Sequence, residues 1–118
     1  MMTPKEIALC AAGALSDKKG EDLKLLEVKD ITVVADYFLI CTATSNTHVK
    51  ALCDEVEHRL DLAGEPMRRR EGQRSDTWVL LDYGCVIVHV FTEETRKFYD
   101  LERLWNDATP IALDNIEQ

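Results

Sequence analysis

Residues 78–105 read WVLLDYGCVIVHVFTEETRKFYDLERLW, the densest run of apolar and aromatic residues in the 118-residue chain. Within it, residues 77–81 and 85–92 are two β-rich runs joined by Asp82-Tyr83-Gly84. Val, Ile, Phe and Trp suit a pleated, half-buried surface, and Gly84 can take the positive φ that a tight turn requires. The pair predicts an antiparallel hairpin. On the first strand Trp78, Leu80 and Asp82 share one alternation, and Val79 and Leu81 the other. On the second, Val86, Val88 and Val90 stand opposite Ile87, His89 and Phe91. Both faces are apolar, which places the hairpin in the middle of a sheet covered by helices. Beyond it Phe98, Leu101, Leu104 and Trp105 fall at helical spacing, predicting one helix over residues 93–107.

Upstream, Thr3-Pro4-Lys5-Glu6 is a capping box with proline at the first helical position. Ile7, Ala11, Ala14 and Leu15 then repeat at helical spacing, so a helix is expected over residues 4–17, stopped by Lys18-Lys19-Gly20. A half-buried strand follows over 22–28, with Leu23 and Leu25 alternating against Lys24, Leu26 and Val28. Residues 29–32 connect, and Val33 and Val34 either extend this strand or open the next. Residues 35–42 (ADYFLICT) are apolar after Asp36 and predict a central strand. Thr44-Ser45-Asn46 supplies capping side chains for a helix over 46–63, with Val49, Leu52, Cys53, Val56, Leu60 and Ala63 as its apolar stripe and Gly64 as its left-handed cap.

Glu65-Pro66 opens an extended piece through Met67 to Arg70, followed by a turn at Glu71-Gly72-Gln73. Three consecutive arginines invite a phosphate-binding reading. Over residues 65–76, however, four arginines meet Glu65, Glu71 and Asp76, leaving only +1, and strand alternation splits them between two faces. They read better as an edge strand blunted by charge. Residues 108–118 are expected to be a loose tail. The order is thus helix, strand, strand, helix, strand, hairpin, helix. It predicts a single α/β domain spanning 1–118, ordered over 1–107, with a mixed sheet of about five strands flanked by helices.

The net charge is −8, from 22 acidic against 14 basic residues. A nucleic-acid backbone repels such a surface, whereas a basic protein is drawn to it. The four cysteines, Cys10, Cys41, Cys53 and Cys85, are widely spaced and lie in apolar patterns, so neither a zinc site nor a disulfide frame is expected. They fit a reducing compartment. No basic N-terminal region precedes an apolar stretch, and no run approaches the roughly 18–20 apolar residues of a membrane span. A cytoplasmic location is expected.

Chemistry is hard to find. Gly-rich phosphate loops, G-x-S-x-G and H-E-x-x-H are missing from the sequence. Asp36 and Asp82 sit at a strand start and a strand end, yet each lacks the second acid that a magnesium pair on one strand would need. His89, in mid-strand among valines, reads as a hydrogen-bonded structural residue. His48, in a first helical turn, is placed to contact an anion or a partner, and His58 to face water. No catalytic residue, metal or cofactor is expected. Tyr99, Glu102 and Asn106 form a second helical stripe beside Phe98, Leu101 and Trp105. An acidic and aromatic helix face beside Trp78 and Asp82 suits a protein contact, with at least one of Trp78 and Trp105 serving as core.

At this point the residues resemble a known family. Asp36-Tyr37-Phe38-Leu39-Ile40-Cys41-Thr42-Ala43-Thr44-Ser45, His48-Val49, Glu71-Gly72, Trp78-Val79-Leu80-Leu81-Asp82-Tyr83-Gly84, Val86-Ile87-Val88-His89-Val90-Phe91 and Phe98-Tyr99-Asp100-Leu101-Glu102-Arg103-Leu104-Trp105 look like the ribosomal silencing factors, the RsfS or Iojap family. The likeness covers residues 5–107. Ala43 stands where the family usually has Gly, and Thr47 where it often has Arg. The resemblance implies a nucleotidyltransferase-like fold without the catalytic residues. It also implies binding to the large ribosomal subunit through ribosomal protein uL-fourteen, loss of small-subunit joining and repressed translation. By analogy the contact falls on Trp78, Leu80, Asp82, Tyr99, Glu102 and Trp105. Such a surface is apolar enough to pair with itself, which makes a homodimer an expected free state. The competing readings are a nucleotide-binding enzyme using the helix after Ser45 and an adaptor for ribosome assembly.

Overall fold

The computed structural model describes residues 2–72 and 77–113. Its elements in chain order are α1 (Pro4–Asp17), β1 (Glu21–Glu27), β2 (Tyr37–Ala43), α2 (Asn46–Leu62), β3 (Arg69–Glu71), β4 (Trp78–Asp82), β5 (Val86–Thr92), α3 (Glu93–Tyr99), α4 (Leu101–Leu104) and β6 (Thr109–Ile111). β2 is buried at all seven positions, and a strand buried on both faces belongs at a sheet's centre. The six strands run in the order β3-β4-β5-β2-β1-β6. β2 pairs parallel with β5, and every other pair is antiparallel, so the sheet is mixed as the sequence predicts. Gly84 supplies φ +86° at the β4–β5 turn.

Helices α1 and α2 cover one face. The capping box forms, with Thr3 Oγ1 accepting from Glu6 N at 3.2 Å and Glu6 Oε1 from Thr3 N at 2.8 Å. Buried Ala8, Ala11 and Ala12 let α1 lie close to its neighbours, and Leu15, Leu39, Leu52, Leu60 and Val88 fill the layer between. The other face carries a second, smaller core of Leu26, Val28, Phe38, Ile40, Ile87 and Phe91 under the short α3–α4 segment. No helix among the described residues is long and apolar enough to cross a membrane.

The arginine run is the charged edge strand that alternation implies. Arg69 Nε lies 2.8 Å from Glu71 and 3.4 Å from Asp82, while Arg70 reaches across to Glu57 and Asp54 on α2. His48 is tied into the fold rather than left for an anion: Nδ1 accepts from Thr44 N at 2.9 Å, and Nε2 donates to Lys18 O at 2.8 Å. His58 is exposed. Val33 and Val34 lie exposed in the β1–β2 loop and belong to neither strand.

Two further expectations need correction. The single helix over 93–107 is broken: Asp100 adopts φ 49°, ψ 57°, dividing α3 from α4. Asp tolerates this left-handed geometry, and the break turns Leu101 into the core while Phe98 and Leu104 face solvent at 80% and 70% exposure. The second concerns the tail, of which 109–111 forms β6, pairing Leu25 with Ile111, Leu26 with Pro110 and Glu27 with Thr109. Pro110 lacks a donor and is tolerated on this edge, and β6 covers backbone groups of β1 that would otherwise be unpaired. Gln73 and residues 114–118 lie outside the described residues. Removing residues 108–118 is expected to lower the thermal midpoint by several degrees, on the order of 1–2 kcal/mol. It should also speed amide exchange across β1; unchanged exchange there would show β6 to be dispensable.

Candidate functional site

The register assembles an aromatic surface on the face opposite α1 and α2. Trp78 lies across from Phe91, Leu80 from His89 and Asp82 from Ile87, so one alternation of β4 continues into β5 and then into Phe38 and Ile40 of β2. Trp78 packs at 4.6 Å from the Tyr99 ring and 5.6 Å from Phe91. Trp105 stands edge-on to Phe38 at 5.1 Å. Both tryptophans are half-buried and pack on the second core, so each is core on one side and surface on the other. Tyr99 is 49% exposed and Leu80 half-buried. α3 and α4 therefore leave part of this face uncovered.

Of the six residues expected to make the contact, Trp78, Leu80, Tyr99 and Trp105 supply the apolar surface. The two carboxylates are committed to the fold. Asp82 Oδ1 accepts from Gly84 N at 2.7 Å, holding the β4–β5 turn, and its other oxygen faces Arg69. Glu102 receives both arms of Arg96, at 3.2 Å from Nε and 2.7 Å from Nη2. Sequence reasoning missed the exposure of Phe98 and Leu104, which extend the apolar surface around the Asp100 break. It also missed Arg96, which looks like a solvated helix residue. No signal marks it, because Arg96 and Glu102 are six residues apart, a spacing that one continuous helix does not bring together.

Arg96 is the joint of this region. Its side chain is buried, and Nη1 donates to Asp22 O and Thr42 Oγ1, each at 2.7 Å. One guanidinium thus links α3, α4, β1 and β2. The hydrogen bonds from Arg96 hold the Glu102 carboxyl below its usual pKa, against the opposing effect of burial. Changing Glu102 to Gln leaves Arg96 with a neutral partner and is expected to cost about 1–2 kcal/mol, or roughly 5 °C in thermal midpoint. Because the folded pKa is depressed, the difference between wild type and variant is fully present above the unfolded carboxyl value of 4.5. It vanishes as the pH falls below that value through the folded pKa. A difference that persists at pH 2 would show that the charge is not its source.

His89 sits beneath Trp78, 6% exposed, and its Nδ1 accepts from Trp78 Nε1 at 3.3 Å. Burial lowers its pKa to about 4, so the ring is neutral at pH 7 and can accept that bond. It is the structural histidine the strand pattern implies. Cys41 and Cys53 are buried thiols whose pKa burial pushes up to about 12, which makes them poor nucleophiles. Among the described residues no group of three or more His, Cys, Asp or Glu is gathered to hold a metal ion.

A family model described as "Ribosomal silencing factor during starvation", RsfS, matches residues 2–118. The chain belongs to the ribosomal silencing factor family. It is 42% identical to the ribosomal silencing factor RsfS of Bacillus subtilis over 113 residues, 96% of each chain. A crystal structure of a Chromobacterium violaceum protein superposes with a TM-score of 0.87 at 39% identity, covering 89% of this chain and 88% of that one. A mouse relative named "Mitochondrial assembly of ribosomal large subunit protein 1" is 30% identical over 77% of this chain and 41% of its own length.

Proposed function

We propose that this protein regulates translation by docking the Trp78–Tyr99 face on ribosomal protein uL-fourteen of the large subunit, blocking the small subunit from joining. The observation that carries the reading is the aromatic surface left uncovered by α3 and α4, with Trp78, Leu80, Tyr99 and Trp105 at its centre and Asp82 and Glu102 at its rim. Aromatic anchors ringed by charge suit a protein interface, and a net charge of −8 favours a basic ribosomal protein over bare RNA. The action is occlusion and needs no turnover: the domain has only to hold the bridge surface more tightly than the small subunit can displace it. It would work in the cytoplasm, where ribosomes cycle. In the free state the same apolar face can pair with a second copy, so such a dimer and the ribosome would compete.

The test is co-sedimentation with separated ribosomal subunits followed by a joining assay. The expected result is binding to the large subunit alone with loss of joined ribosomes. Binding to neither subunit would remove the reading. The printed name of the mouse relative favours a second reading, an adaptor in large-subunit assembly. That reading expects binding to assembly intermediates with no effect on the joining of mature subunits.

A further inference from the structure

On the opposite side of the sheet, α2 carries Asp54, Glu57, His58 and Asp61 at helical spacings of three and four, which sets them on one stripe of the helix. The chain leaving α2 adds Glu65 and then the apolar Pro66 and Met67, and the β4–β5 turn adds Tyr83. Together they line an open groove of about 620 Å³. The groove is acidic along its length, and its two ends differ. At one end Arg70 Nη1 lies 2.8 Å from Glu57 and 3.2 Å from Asp54. At the other, Asp61 and Glu65 join no ion pair among the described residues, and Glu65 accepts only the Met2 amide at 3.0 Å.

Tyr83 is the second observation. It is 7% exposed, it lines the groove, and its hydroxyl has no hydrogen-bond partner among the described residues. Buried hydroxyls seldom go unbonded, because a lost bond to water is not replaced. The carboxylates of Glu57 and Asp61 add to the effect of burial in raising its pKa, which keeps the phenol neutral beside them. A neutral phenol oxygen near Asp61, whose carboxylate joins no ion pair among the described residues, is an acceptor set awaiting a donor.

We propose that this groove binds an alkylammonium group, presented as a lysine side chain by a segment of a basic protein. A bare metal ion does not fit, because the acidic groups are strung along the helix and are not gathered in threes. A guanidinium prefers one carboxylate held bidentate, whereas an ammonium is a compact charge with three donors free to reach separate oxygens. Asp61, Glu65 and the Tyr83 hydroxyl are such a set, with Met67 and Pro66 beside them to cover the aliphatic stem. The groove lies on the α1–α2 side of the sheet, so it and the Trp78 face can be occupied together. The proposal does not rest on the ribosomal reading.

Fluorescence anisotropy with a dye-labelled tri-lysine peptide and the full-length chain tests it. Tyr83→Phe removes only the unpartnered hydroxyl, so the thermal midpoint should hold or rise. Peptide affinity should fall about tenfold, as for the loss of a hydrogen bond to a charged group. Asp61→Asn with Glu65→Gln should weaken binding at least as much, while Glu93→Gln with Glu94→Gln, the same charge change on α3, should leave it intact. No binding, no effect of Tyr83→Phe, or an equal loss from the α3 pair would overturn the proposal. Spermidine displacing the peptide at equal affinity with the same Tyr83 dependence would assign the groove to a free polyamine and overturn the lysine side chain.

Discussion

Trp78→Ala is expected to weaken binding to the large ribosomal subunit about a hundredfold, close to 3 kcal/mol, while the domain stays folded. Trp78 stands at the middle of the uncovered face, braced by Tyr99 at 4.6 Å and by Phe91 below. Truncating it removes the largest apolar contact the face can offer, and it also frees Tyr99 to move. A central, well-braced aromatic ring is where interface energy concentrates. Leu62 on α2 is a fitting control, being an exposed apolar residue on the other side of the sheet, and Leu62→Ala should bind as wild type. Sedimentation titration reads both. Equal binding by Trp78→Ala and wild type, with folding confirmed by circular dichroism, would remove this face from the ribosome contact.

Acid should unfold the protein partly through His89. The unfolded ring takes up a proton near its ordinary value of 6.5, whereas burial delays protonation in the folded state to about 4. Between those values the unfolded chain holds more protons, so stability falls as pH falls through the window and is fully present above it. A displacement of that size corresponds to about 3 kcal/mol. Urea unfolding at pH 7 and pH 4 should show wild type losing about that much more than His89→Gln, which keeps an acceptor for Trp78 Nε1 and cannot titrate. The two acid effects separate by pH: His89 acts from about 6.5 to 4, and the Glu102–Arg96 pair only below about 4.5. Parallel pH curves for wild type and His89→Gln would show that the ring is protonated in the folded state.

Much of this was readable before any coordinates. The capping box at Thr3–Glu6, the buried run of β2, the Gly84 turn and the stripe of α2 each rest on local rules, and each formed as those rules require, except that Ala63 at the end of the stripe is the exposed C-cap of α2. The break at Asp100 was hidden because helical periodicity counts apolar residues and takes no account of a buried cation. Phe98 and Leu104 satisfy a single helix on paper, but joining them would pull Glu102 away from Arg96. β6 was hidden for a different reason. Three residues including a proline carry almost no strand signal of their own, and they become a strand only because β1 has an edge to cover. The aromatic part of the candidate surface was legible from the alternation of β4. The roles of Asp82 and Glu102 were not, since a carboxylate's sequence position says nothing of whether a donor lies within reach.

The pairing of β6 with β1 also bears on how the chain comes off its own ribosome. β1 is made well before β6, so one edge of β1 stays bare until β6 follows it. The central parallel pair behaves in the same way, because β2 can pair with β1 at once but must wait for β5 on its other side. A nascent chain therefore carries an unfinished, apolar sheet until β6 clears the exit tunnel, and pairing between distant segments is slow to form. Products that end before β6 would carry an open strand edge into the crowded cell, where it invites strand-to-strand aggregation or proteolysis. Quality control would thus discriminate between copies with and without the three residues of β6.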